Sequence, residues 1–172
     1  GKQERLYSIG KVGGKLQLTV KRHEHGLGSG YLYQLKQGET FQARIVPNSS
    51  FYFPKKAKKV VLVANGTGVA PFLGMADQNK QAEVYVYLGL RHNDATAAEY
   101  RRFFESQQQK GKIKNFQLIF SREASGGYVT DLLKRDAALL TEVLTSDGVV
   151  MICGSLDMYK DVTAWLGELT PF

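Results

Sequence analysis

One segment limits the fold more than any other: Val60-Val61-Leu62-Val63-Ala64, followed by Asn65-Gly66-Thr67-Gly68-Val69-Ala70-Pro71-Phe72. An unbroken apolar run rich in β-branched residues reads as a strand covered on both faces, as in a parallel sheet. Gly66 and Gly68 permit a tight turn and close approach to the backbone. Pro71 suits the first turn of a helix, where its missing N–H costs nothing. Strand, glycine turn and helix in this order present backbone N–H groups to a phosphate. A buried strand followed by an ordinary turn fits these residues equally well, because a lone glycine loop is a weak motif.

The rhythm after Val60 supports the first alternative. Val84–Gly89 reads as a second buried strand, Ala95–Gln109 as a helix, and Phe116–Ser121 as a third strand. Val129–Lys134 begins a helix and Ala137–Leu144 continues it. Val149–Cys153 is a fourth strand, and Met158–Leu169 a last helix. Alternation of this kind predicts a parallel sheet with helices on both faces.

The first 54 residues read differently. Arg5–Lys11 and Lys15–Arg22 alternate as strands around Gly13-Gly14, a hairpin signal. Gly26-Leu27-Gly28-Ser29-Gly30 is a loop leading into a short helix over Tyr31–Leu35. Thr40–Val46 alternates again through Phe41, Ala43 and Ile45, and Phe51-Tyr52-Phe53-Pro54 closes the unit. The lysine-rich Lys55–Lys59 marks a boundary, giving units over 1–54 and 55–172. Three strands do not close a barrel, and a further strand is expected beyond Pro171-Phe172, so the chain reads as a fragment of a larger protein.

Composition excludes several classes. The 172 residues contain one cysteine, Cys153, so there is no disulfide framework. No metal-ligand cluster, signal peptide or membrane-length apolar run is visible. His23, His25 and His92 are scattered, and Tyr31, Tyr33, Phe103, Phe104 and Trp165 read as packing residues. The net charge is +7, with Lys55, Lys56, Lys58, Lys59, Arg101, Arg102, Lys110, Lys112 and Lys114 among the positives. A basic balance favours anionic partners. Charge alone suggests a nucleic-acid binder, but no reader motif accompanies it.

Ligands of an open parallel sheet bind at the carboxyl ends of its strands. Those ends carry Gly66-Thr67-Gly68, Gly89-Leu90-Arg91, Ser121-Arg122-Glu123 with Tyr128 soon after, and Cys153-Gly154-Ser155. Glycines, arginines and hydroxyls together suit phosphate and sugar groups.

Four motifs in this order, Arg5-Leu6-Tyr7-Ser8, Gly26-Leu27-Gly28-Ser29, Gly66-Thr67-Gly68-Val69-Ala70-Pro71 and Cys153-Gly154, resemble the ferredoxin–NADP reductase superfamily, in particular its diflavin reductase branch. The resemblance implies an open, Rossmann-like α/β sheet over 55–172, preceded over 1–54 by part of an antiparallel β-barrel flavin domain. It implies that Arg5 pairs with the FAD pyrophosphate, Tyr7 lies against the isoalloxazine, and Ser8 bonds near flavin N5. Gly26, Gly28 and Ser29 would serve the same pyrophosphate. Gly66, Thr67 and Gly68 would cradle the nicotinamide dinucleotide, which Arg91 faces. Ser121 and Arg122 would hold the 2′-phosphate of NADP, with Tyr128 beside the adenine or that phosphate. Cys153 and Gly154 would lie against the nicotinamide, with Cys153 a positioning group for hydride transfer. Plainer alternatives are an amphipathic strand for Arg5–Ser8, a plain loop for Gly26–Ser29, a solvated arginine for Arg91 and a small core hydrophobe for Cys153.

The chain departs from the family at three points. Gly126-Gly127 stand where a basic residue usually precedes the tyrosine, Thr130 replaces a frequent glutamine, and Ser155 replaces a frequent acid. The resemblance therefore implies NADPH as donor with NADH as an alternative. Electrons would leave one at a time for an FMN domain or haem centre outside the chain, in the cytoplasm or at the cytoplasmic face of a membrane to which another segment tethers the protein. A non-catalytic nucleotide-binding or interaction module on the same fold is the competing reading.

Overall fold

The structure, a computed structural model, describes residues 4–170. The strand expected beyond Pro171-Phe172 lies outside them. Four parallel strands, β3 (Lys59–Asn65), β4 (Glu83–Leu90), β5 (Asn115–Phe120) and β6 (Val149–Cys153), form one sheet in the order β5-β4-β3-β6. Central β3 pairs with β4 from Lys59↔Glu83 to Asn65↔Gly89, and with β6 from Val60↔Val149 to Ala64↔Cys153. Its side chains alternate between two covered faces, which is why the run shows no polar residue.

On one face Val60, Leu62 and Ala64 pack with Phe72, Leu73 and Ala76 of α2 (Ala70–Gln78) and Phe104 of α3 (Ala95–Gln109). On the other face Val61 and Val63 meet Leu132 and Leu133 of α4 (Val129–Arg135), Leu140 and Val143 of α5 (Ala137–Thr145) and Val162 of α6 (Leu156–Leu169). The expected elements of this half are present with bounds shifted by at most two residues. The last helix begins at Leu156 because Ser155 caps it, its hydroxyl accepting from the Met158 N–H at 3.3 Å.

One polar cluster on the second face pairs strands with helices. The Tyr87 hydroxyl donates to Asp136 at 2.7 Å, and the Gln117 amide donates to the same carboxylate oxygen at 2.6 Å. Asp136 lies between α4 and α5, so one carboxylate ties two strands to the helix pair. Burial first, and then this hydrogen bond, hold the Tyr87 phenol well above its usual range.

The N-terminal third is more open. The glycine hairpin forms as expected, with Gly13 and Gly14 at φ of 55° and 79° between β1 (Ile9–Val12) and β2 (Lys15–Leu18). It packs on α2 closely enough that a Cβ at Gly74 would stand 2.6 Å from the Lys11 nitrogen, and the Gly13 N–H donates to Asp77 at 3.0 Å. Helix α1 spans Leu27–Gln34, a turn earlier than expected. The strand expected over Thr40–Val46 does not form: its residues are exposed and no described segment pairs with them. Alternation yields a strand only where a neighbouring ladder satisfies the backbone. This segment is fastened instead by side chains, Arg44 donating to Glu4 at 3.0 and 2.7 Å. Phe51 packs on Phe72 with ring centroids 5.9 Å apart, anchoring the end of the first unit to the sheet core.

Candidate functional site

The strand order reverses between β3 and β6: β4 and β5 extend one side of β3, and β6 returns to the other. The crevice beyond the carboxyl ends at such a switch point is where open α/β sheets take ligands. Here the ends flanking the switch point are Gly66-Thr67-Gly68 and Cys153-Gly154-Ser155. After Asn65 the chain turns in a single 3-10 turn, Gly66–Val69, and runs directly into α2. Gly66 sits at φ 53°, a left-handed conformation that favours glycine, and both Gly66 and Thr67 are exposed.

The two strand ends touch. A Cβ built on Gly68 would run into the Cys153 carbonyl oxygen and stand 2.7 Å from the Gly154 Cα. One on Gly154 would meet the Asn65 side-chain oxygen and lie 2.8 Å from Met158 Cε. Asn65, which sequence reading passed over, closes this contact. Its oxygen accepts from the Ser155 N–H at 2.8 Å, and its amide donates to the Ser155 hydroxyl at 2.9 Å. The available signal was an amide side chain at a strand end just before the glycine turn, where strand pairing stops and side chains take over backbone bonding.

Cys153 is half-buried at the end of β6. Burial raises its thiol above the ordinary range, so it stays protonated at neutral pH. That suits a group that fills space and positions a ligand, and not a nucleophile.

Across the sheet, β4 and β5 continue as a pair past their ends. The Ser121 N–H donates to the Leu90 carbonyl and the Arg122 N–H to the Arg91 carbonyl, each at 2.9 Å. Arg91 and Arg122 therefore stand side by side on the same rim, both exposed, and neither is in an ion pair among the described residues. Glu123 was noted only as part of a strand end. Its carboxylate accepts from the Asn93 N–H at 2.9 Å and lies 3.8 Å from His92 Nδ1, spending itself on the adjoining loop. Tyr128 is fixed by its backbone, whose N–H donates to Asp131 at 2.8 Å, and its ring is 69% exposed. The two glycines before Tyr128 are closely packed. A Cβ at Gly126 would stand 2.7 Å from the Glu123 carbonyl oxygen, and one at Gly127 would stand 2.8 Å from Ile119 Cδ1.

In the N-terminal third, Arg5 and Tyr7 converge on Gly28. A Cβ there would stand 3.0 Å from the Tyr7 hydroxyl and 3.2 Å from Arg5 Cγ. Ser8 is exposed just before β1. Gly26 donates its N–H to the His23 carbonyl at 3.0 Å. Ser29 differs from the ligand-facing hydroxyl that the resemblance implies. It is buried, accepts from the His23 N–H at 3.0 Å and donates to the Gly26 carbonyl at 3.4 Å, so it staples the loop from within.

Among the described residues there is no cluster of His, Cys, Asp or Glu able to hold a metal ion, and no helix long and apolar enough to cross a membrane.

Residues 62–164 match the family model described as oxidoreductase NAD-binding domain. The chain is similar to the sulfite reductase [NADPH] flavoprotein alpha-component of Mannheimia succiniciproducens, with 29% identity covering 97% of this chain and 32% of that protein. It is 34% identical to the NADPH–cytochrome P450 reductase of Cavia porcellus, covering 73% of this chain and 21% of that protein. It is 28% identical to the inducible nitric oxide synthase of Gallus gallus, covering 84% of this chain and 14% of that protein. The chain thus spans about a third or less of the length of these curated relatives.

Proposed function

The chain belongs to the oxidoreductase NAD-binding domain family, and from that premise we propose that it is the dinucleotide-binding end of a flavin-dependent reductase, in which NADPH gives a hydride to FAD and electrons pass on to a separate FMN or haem centre. The observation that carries this reading is the contact of Gly68 with Cys153 and Gly154 at the switch point. Two glycines let the ends of β3 and β6 meet backbone to backbone beside the one cysteine of the sequence, which leaves main-chain groups of both turns on one rim. Such a cradle fits a dinucleotide backbone.

The nicotinamide and the flavin supply the redox chemistry, and the protein supplies binding and orientation. The exposed turn Gly66-Thr67-Gly68 offers N–H groups and the Thr67 hydroxyl to the pyrophosphate. Arg91 and Arg122, adjacent and without ion-pair partners among the described residues, offer two planar cations for phosphate oxygens. Ser121 and Tyr128 complete a pocket for the 2′-phosphate, and NADPH is favoured over NADH accordingly. The engaged Glu123 carboxylate does not compete for those cations. Cys153, held as a neutral thiol, sets the depth at which the nicotinamide rests beside Gly154. Ser8 would serve the reacting edge of the flavin, and Arg5, Tyr7, Gly26 and Gly28 its pyrophosphate and ring. Ser29 would shape that loop from within. On this reading residues 1–54 are part of the flavin-binding unit and residues 55–172 the dinucleotide-binding unit. The names of the relatives, which include NADPH-dependent flavoproteins, support the donor and the cofactor. The acceptor, and any membrane tether, would lie on other segments, with the chain itself at the cytoplasmic side.

The test is anaerobic titration of the chain, joined to a complete flavin-binding unit and supplied with FAD, by NADPH and by NADH, with calorimetric binding of NADP⁺ and NAD⁺ in parallel. Bleaching of flavin absorbance by NADPH at lower concentration than by NADH is the expected result. Binding without bleaching would favour the non-catalytic module, and a preference for NADH would remove the roles given to Ser121 and Arg122.

A further inference from the structure

The geometry assigns Asn65 as a positioning residue: its side-chain amide locks the Cys153-Gly154 rim of β6 to the glycine turn of β3, and that lock sets the width of the dinucleotide crevice. The inference rests on the functional reading above for what the crevice holds, but not for the lock itself.

Three observations support it. The bond is reciprocal, with Asn65 accepting from the Ser155 N–H at 2.8 Å and donating to the Ser155 hydroxyl at 2.9 Å. That exchange uses an amide's acceptor and donor at once, a pattern that a carboxylate or hydroxyl cannot reproduce in full. The lock also sits at the last ladder pair of β3 with β4, Asn65↔Gly89, and one residue past its last pair with β6, Ala64↔Cys153. Beyond Ala64↔Cys153 no strand pairing holds the two ends together, so the side chain continues the sheet by one step. Finally, the Asn65 amide fills the space beside Gly154 that a β-carbon would need, while Gly68 meets the Cys153 carbonyl directly. Without Asn65 the separation of the rims would rest on van der Waals contact alone. The Ser155 hydroxyl also accepts from the Met158 N–H at 3.3 Å, so the same lock is joined to the start of α6. Asn65 touches no ligand in this scheme; it acts through the backbone of Cys153, Gly154 and Ser155.

The test uses the whole chain with Asn65→Ala, Ser155→Ala and the double substitution. One readout is the rate at which iodoacetamide labels Cys153. The other is calorimetric affinity for NADP⁺, and circular dichroism confirms that each variant is folded. Asn65→Ala should speed labelling several-fold and weaken NADP⁺ about tenfold, the loss expected of two hydrogen bonds at a rim. Ser155→Ala keeps the backbone bond and should do less. The double variant should match Asn65→Ala, because the pair acts as one unit. Unchanged labelling in folded Asn65→Ala overturns the inference. So does faster labelling with unaltered affinity, which would make the lock structural only. If the unaltered chain binds neither NADP⁺ nor NAD⁺, the functional reading fails, and labelling still decides whether the lock exists.

Discussion

Gly68 lies against the carbonyl of Cys153, and the space that a β-carbon would need is already taken by backbone. The contact joins two strand ends 85 residues apart in sequence, counted from 68 to 153. It makes one crevice of what would otherwise be two separate turns, and the neighbouring atoms are main chain that cannot swing aside.

Gly68→Ala should therefore destabilise the fold by about 1–3 kcal/mol, the cost of overpacking a rigid contact. It should also weaken dinucleotide binding. Gly66→Ala, exposed but at positive φ, should cost about 1–2 kcal/mol through strain alone. Urea unfolding of both variants, with NADP⁺ calorimetry, separates the two causes, since only Gly68→Ala pushes on the Cys153 rim.

The phenol of Tyr87 should make stability pH-dependent at the alkaline end. Its pKa is raised in the folded state by burial and by Asp136, so an unfolded chain loses the proton first. The unfolded state then binds fewer protons, and stability falls as pH rises above about 10, the ordinary tyrosine value. Below that pH the contribution is intact. Tyr87→Phe should cost about 1.5–3 kcal/mol at neutral pH, because it removes a hydrogen bond to a charged group. It should also flatten the alkaline decline, as measured by urea midpoints across pH.

Arg122→Ala should raise the Kd for NADP⁺ by about 10–100-fold and leave NAD⁺ within about threefold, since charge-assisted bonds to phosphate are among the stronger hydrogen bonds. Equal losses for the two dinucleotides would place Arg122 at the shared pyrophosphate, away from the 2′-phosphate.

The Cys153 thiol, raised by burial, should react with iodoacetamide at neutral pH more slowly than a free cysteine. It also adds a small alkaline loss of stability, because the unfolded thiol ionises near pH ~8.5 while the folded one keeps its proton. Cys153→Ala should keep the fold within about 1 kcal/mol, as expected for one small side chain, and should slow flavin bleaching more than it weakens NADP⁺ binding. Bleaching at the unaltered rate would leave Cys153 a packing residue only.

Much of the α/β half was legible in the chain, because a parallel sheet writes itself locally. Buried strands are apolar runs, their helices are amphipathic, and the functional turns lie at fixed offsets from strand ends. The family motifs were legible for the same reason, since Gly66-Thr67-Gly68 and Cys153-Gly154 are contiguous words. The N-terminal third was less legible. Thr40–Val46 alternates like a strand, yet a strand is a relationship with a neighbour, and no described neighbour pairs with it.

The order of elements, the strand ends that form the rim and the residue types presented there are all written in local stretches of the chain. How those ends meet follows from packing across the sheet. The tertiary structure turned Ser29 inward to His23 and Gly26, committed Glu123 to the Asn93 N–H, and joined Asn65 to Ser155 across the switch point. An amide at a strand end marks Asn65 as a hydrogen-bonding residue, but nothing near residue 65 names residue 155 as its partner. That partner is chosen by the crossover that returns β6 to the side of β3.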